Sequence, residues 1–146
     1  MAEWKEPVFD RTQEDVDYAK TQLSLGINDV EYKGCFNPLD INRIEGDTQY
    51  LSDALNTLRY ANKVSTVQNW AKESLPYKSH LDRIINNVSV LWGKYYKPAG
   101  SVDLPTTLLT FEQVNALEKN IYLLKEMLDD MISSFRECGT FACGEE

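Results

Sequence analysis

The stretch INRIEGDTQYL, Ile41 to Leu51, recurs without a gap as VNALEKNIYLL, Val114 to Leu124. Ile41, Asn42, Ile44, Glu45, Asp47 and Leu51 meet Val114, Asn115, Leu117, Glu118, Asn120 and Leu124. A third writing lies between them in LDRIINNVSVL, where Leu81, Asp82, Arg83, Ile84, Asn87 and Leu91 take the same places. In each copy the apolar residues step by three and four, the period of one helix face. Carried outwards, the seams are Ile41, Ile44, Thr48, Leu51, Leu55, Leu58; Leu81, Ile84, Val88, Leu91, Tyr95; and Val114, Leu117, Ile121, Leu124, Leu128, Met131, Phe135. The spacing is heptad-like. It predicts an all-α fold, a small bundle of about four helices of the kind antiparallel packing needs.

The polar half of the repeat is not demanded by core packing. Asn42, Asp82 and Asn115 follow one seam residue, and Asp47, Asn87 and Asn120 precede another. Side chains of this type fix register by hydrogen-bonding across helices, or they face a partner. Both readings stay open from sequence.

Around the repeats the chain carries helix punctuation. Thr12 caps a first helix, with Asp15 in capping-box register and Gly26 as terminator. Asn37-Pro38 opens the second helix. Gly46 inside it costs ~1 kcal/mol against alanine and leaves room for a close neighbour. STVQNWAKESLP, Ser65 to Pro76, reads as a short helix closed by proline. Ser79 caps the third repeat helix, and Thr110 with Gln113 caps the last. KPAGSVDLPTT, Lys97 to Thr107, is a loop. The whole is one domain over 1–146: an extended N-terminal arm (1–11), a helical bundle (12–137) and an irregular C-terminal tail (138–146).

The chain has 146 residues, is 42% hydrophobic and carries a net charge of −8, with a pI of about 4.7. Such a charge repels nucleic-acid phosphate and anionic lipid unless a basic patch overrides it. The densest basic stretch is Lys94 and Lys97 around Tyr95 and Tyr96, too thin for that purpose. No apolar run reaches the ~20 residues of a membrane helix, and MAEWKEPVFDRTQED lacks the apolar segment of a signal peptide. The expectation is a soluble protein made in a cytoplasm, with no nucleic-acid or membrane partner.

Chemistry-bearing motifs are missing. There is no GxSxG, P-loop, GxGxxG or HExxH pattern. The single histidine, His80, stands beside a helix cap. Glu14, Asp15, Asp17, Glu112, Asp129 and Asp130 lie at helix ends or exposed positions, as solvated charge. Cys35, Cys138 and Cys143 are odd in number, so they cannot all pair within one chain. With His80 they compose a Cys3His zinc alternative, but their spacing is dispersed. The reading is no enzyme, no catalytic residues, no metal and no cofactor. What remains is aromatic: Trp4, Pro7, Val8 and Phe9 on the arm, and Phe141 in the tail, predicted to bind partners.

Trp4 to Ala19, W-x-x-P-V-x-D-R-T-Q-x-D-V-D-Y-A, resembles the start of small proteins encoded in tail and baseplate regions of phages and prophages of Gram-positive bacteria. Lys33 to Asp53 resembles their second pattern, K-G-x-x-N-x-x-D-x-N-R-I-E-x-N, with Asp47 at its last position. The ending CGTFACGEE is similar too. The resemblance implies a non-catalytic virion protein of a tail, baseplate or appendage. Its implied partners are other virion proteins and further copies of itself in a symmetric assembly. The rival expectation is a small acidic regulator or inhibitor that binds a host protein.

Overall fold

Each helix starts where a side chain takes up the first unpaired backbone N–H groups. The computed structural model describes residues 3–28, 30–35, 37–71, 74 and 76–144, with backbone alone over 136–144. Helix α1 is Gln13–Ser24, α2 is Pro38–Thr57, α3 is Lys78–Lys94 and α4 is Phe111–Gly144. No strand occurs among the described residues, so the all-α expectation holds.

For α1, Asp15 N–H donates to Thr12 Oγ1 (3.2 Å) and Thr12 N–H donates to Asp15 Oδ2 (3.0 Å). Asn37 and Asp40 repeat this reciprocal cap at α2, with Pro38 at the first position. Gln113 and Thr110 do so at α4. Gly26, at φ 81°, turns the chain after α1 as its lack of a Cβ permits. At α3 the expected cap, Ser79, lies inside the helix. The helix starts at Lys78, because Tyr77 N–H donates to His80 Nδ1 (2.9 Å) and His80 serves in the place of an acidic box residue.

The three seams form one core. Ile41, Ile44, Leu51 and Leu55 of α2, Ile84, Val88 and Leu91 of α3, and Val114, Leu117, Ile121, Leu124 and Leu128 of α4 are buried together. The helix directions follow from what lies between them. Arg43 of α2 meets Glu118 of α4, and further along both helices Trp4 of the arm lies between Tyr50 and Lys125. Residue numbers thus rise together in α2 and α4. Between α2 and α3, the chain after α2 touches Ser52 with Asn62, Glu45 and Arg83 near residues 65–67, and Asn42 and His80 with Trp70. Again the two helices run the same way. The bundle is parallel, not antiparallel.

Parallel helices joined in sequence need returns of helix length. The 20 residues of α2 rise ~30 Å, a distance an extended chain covers in about nine residues. The segment after α2 is such a return. Its described residues form no helix where a short one was expected at Ser65–Pro76, because the N–H groups of Ser65, Val67 and Trp70 are held by side chains of α2 and α3. Gln68 on it passes Gly46, where a Cβ would meet its Oε1 at an ordinary 3.5 Å.

Two further differences concern the ends. α4 continues to Gly144, across most of the stretch expected to be an irregular tail; glycine costs a helix ~1 kcal/mol without ending it. Phe135 is 69% exposed although it continues the α4 seam, since α2 and α3 have already stopped. Helix α1 lies outside the core, with only Ala19 buried. It is seated by the Tyr18–Tyr32 edge contact (6.0 Å) and by Gly34, where a Cβ would stand 2.2 Å from Asp15 O.

Leu51→Ala, Leu91→Ala and Leu124→Ala, each at an equivalent and almost fully buried seam position, are expected to cost ~2–5 kcal/mol apiece in urea unfolding. Gly34→Ala is expected to lower the melting temperature as well, since the obstructing atoms are α1 backbone.

Candidate functional site

The repeated polar residues grip the extended segments. Asn115 Oδ1 accepts from Arg11 N–H (3.3 Å) while its Nδ2 donates to Arg11 C=O (2.9 Å). Asn42 takes Trp70 in the same two-bond manner, at 2.9 and 3.0 Å. Asn87 takes Ser65 at 3.3 and 2.7 Å, and Asn120 takes Val102 at 3.0 and 3.0 Å. A primary amide has one acceptor and a donor side by side, so it stands in for a neighbouring strand's backbone. At these four positions the bonds go to extended backbone of the same chain, not across to a facing helix.

Three residues after the asparagine, a glutamate extends the grip. Glu45 accepts from Val67 N–H (2.9 Å) and Trp70 Nε1–H (2.6 Å) and pairs with Arg83. Glu118 accepts from Val8 N–H (3.1 Å). Three steps up the helix correspond to three steps back along the segment in both cases, which fixes the antiparallel course of each return.

Beneath the arm lies an ion cluster. Arg11, 5% exposed, reaches Asp40 (3.1 Å) and Glu118 (2.9 Å). Arg43 reaches the same two carboxylates at 2.8 Å each. Burial opposes the charge on Arg43, but Glu118 and Asp40 outweigh it and hold its pKa above the ordinary value. Asp47 accepts from Lys5 N–H (2.8 Å) and has no cation in contact among the described residues. Burial pushes it up to about 7; the Lys5 N–H and Arg43 work the other way, and Glu118 and Glu6 add to the rise.

The arm residues expected to meet a partner therefore lie on their own bundle. Trp4 packs on Tyr50 at 5.7 Å, Phe9 packs on Tyr122 at 5.1 Å, and Pro7 and Val8 are half-buried. Asp82, expected to act with Asn42 and Asn115, is at the surface and pairs with Lys78 four residues before it, with no bond to an extended segment among the described residues. The side chains of Phe141, Cys138 and Cys143 lie outside the described residues. Cys35 is half-buried, and burial raises its thiol pKa, with Asp40 adding to it. His80 stacks on Tyr77 and meets Trp70 edge-on.

Arg11, Asp40, Arg43, Glu45 and Glu118 were not singled out from sequence. The recurrence of Glu45 at Glu118 was the signal that could have found two of them. No group of histidine, cysteine and carboxylate side chains that could hold a metal occurs among the described residues. None of their helices is long and apolar enough to cross a membrane. A groove of about 560 Å³ lies between Leu58, Tyr60, Met131, Ile132 and Phe135, with Arg59 the charged residue among its described lining. The buried polar groups thus converge on the chain's own backbone rather than on an open cleft. No family model, curated protein or solved structure matches the chain.

Asn42→Ala, Asn87→Ala, Asn115→Ala and Asn120→Ala should each cost about 1–3 kcal/mol, by leaving a strap N–H and C=O unpaired. Asp82→Ala should change stability by less than about 0.5 kcal/mol. Chemical denaturation of the five variants tests the contrast.

Proposed function

We propose that the chain is a non-catalytic structural component of a phage virion or phage-tail-like particle, working in assembly of a tail, baseplate or attached appendage. The observation that carries this reading is the disposition of α4. It has 34 residues against 20 for α2 and 17 for α3. Met131 lies against Tyr60 and Tyr95, just past the ends of α2 and α3, and Ile132 still packs on the core, so the helix from about Phe135 to Gly144 projects from the bundle. A helix whose apolar seam runs on past its own core offers a face for another subunit. The resemblance of Trp4–Ala19 and Lys33–Asp53 to phage tail-region proteins supplies the class of particle.

In this reading the protein is made in the bacterial cytoplasm and resides in the virion. Its partners are other virion proteins and further copies of itself, not nucleic acid or membrane. It needs no cofactor and does no chemistry. The net charge of −8 favours one alternative, a small acidic phage-encoded regulator or inhibitor of a host protein, since that charge suits a basic partner.

Mass spectrometry of purified particles separates the two readings. Peptides of this chain should be found at stoichiometric level in the particle, and a chain ending at Ser134 should fold with the parent's melting profile yet be missing from particles. Absence of the full chain from particles, with recovery on a host protein instead, would leave the regulator reading standing.

A further inference from the structure

Asp47 occupies the repeat position of Asn87 and Asn120. Those two asparagines accept from a strap N–H with Oδ1 and donate to the same residue's C=O with Nδ2. Asp47 makes the first half of the grip, from Lys5 N–H to Oδ1. Its Oδ2, where the amide nitrogen would be, is buried without a partner. A carboxylate has no hydrogen there to donate; a carboxylic acid has one.

Charge balance points the same way. The charged groups that act on Asp47 are Arg43 on α2, Glu118 on α4 and Glu6 on the arm, beside the Lys5 N–H it accepts from. Arg11 and Arg43 are taken up by Asp40 and Glu118 in four contacts of 2.8–3.1 Å, two cations on two anions. Lys125 lies over the Trp4 and Tyr50 rings and pairs with Asp129. An ionised Asp47, 1% exposed, would be a third anion with no cation of its own, which a buried site tolerates poorly.

We infer that Asp47 closes the N-terminal arm onto the bundle as a carboxylic acid and loosens it as a carboxylate, so that the arm is a proton-controlled latch. The arm suits this role because it lies ahead of α1, whereas the other gripped segments are each anchored between two core helices. The inference concerns the arm alone and does not depend on the proposed virion role. Asp47 titrates at about 7 with the arm closed and near the usual ~3.9 when the arm leaves it to solvent. A raised acid pKa means the closed state is favoured fully below the open-state value. Closure then weakens about 10-fold per pH unit from about 4 up to about 7 and is level above that.

The full chain tests this by NMR. The Asp47 Cγ shift should titrate near pH 7. Protection of the Lys5 amide, corrected for intrinsic exchange, should fall about 10-fold per unit between pH 5 and 7. The Ser65 and Val102 amides, gripped by Asn87 and Asn120, should hold level over that range. Asp47→Asn should abolish the Lys5 slope and keep the arm closed at pH 8. A Cγ titration near pH 4 would overturn the latch, as would Lys5 losing protection in step with Ser65. So would an Asp47→Asn chain that keeps the slope. The first two measurements use the unaltered chain and decide the matter even if the variant fails to fold.

Discussion

The fold depends on a backbone problem and its side-chain solution. Three helices that run the same way must be joined by extended returns, and an extended chain lying alone in a groove has no sheet partner for its N–H and C=O groups. Buried backbone groups left unpaired cost about as much as a lost hydrogen bond each. The asparagine side chains at 42, 87, 115 and 120 solve this one residue at a time. Each acts as a single residue of β-strand projected from a helix. Because the amide is short, it also fixes how deep the return sits and at which helix level it passes.

Parallel packing has an electrostatic consequence as well. The positive ends of the α2, α3 and α4 dipoles lie at the same end of the bundle, so they do not cancel as in an antiparallel pair. Buried carboxylates stand in the first halves of these helices: Asp40 and Glu45 on α2 and Glu118 on α4. They meet strap N–H groups and the guanidinium groups of Arg11, Arg43 and Arg83. Buried pairs of this type give little net stability, because desolvation offsets their attraction, but they penalise any arrangement that leaves one partner unpaired. Arg11 is the clearest case. A slip of the arm by one residue would strand its charge against an apolar core. The cluster therefore specifies where the arm lies more than it holds the protein together.

The helices were legible in the sequence because their determinants are local. Caps act over three residues and seams over three and four, and Thr12, Asn37, Thr110 and the buried leucines all behave as their spacing says. The straps were not legible, because their partners are remote: Asn115 finds Arg11 across 104 residues, and Asn42 finds Trp70 across 28. The stretch after Ser65 has the composition of a short helix, and what overrides that preference is a set of acceptors on α2 and α3 that no local window contains. The recurrence of the polar positions was visible. Its use was not, since a side chain that holds an extended strand and one that holds a facing helix look alike in one dimension. Asp82 shares the position and not the use.

The places where the repeat departs from itself follow the same logic. Lys5, Val8 and Arg11 of the arm are held in turn by Asp47, Glu118 and Asn115. In the last return, Val102 is held by Asn120, as Lys5 is by Asp47. Counting three on, as from Lys5 to Val8, reaches Pro105, a residue with no N–H to donate. The α3 position that corresponds to Glu45 and Glu118 is Ile85, buried and apolar. A carboxylate at Ile85 would be a buried charge, and Pro105 has no N–H to offer one. Pro98 and Pro105 also stiffen this return before it folds, which lowers the entropy its ordering must overcome. Strap and helix are thus matched position by position, and the sequence repeat records that matching as well as the period of a helix.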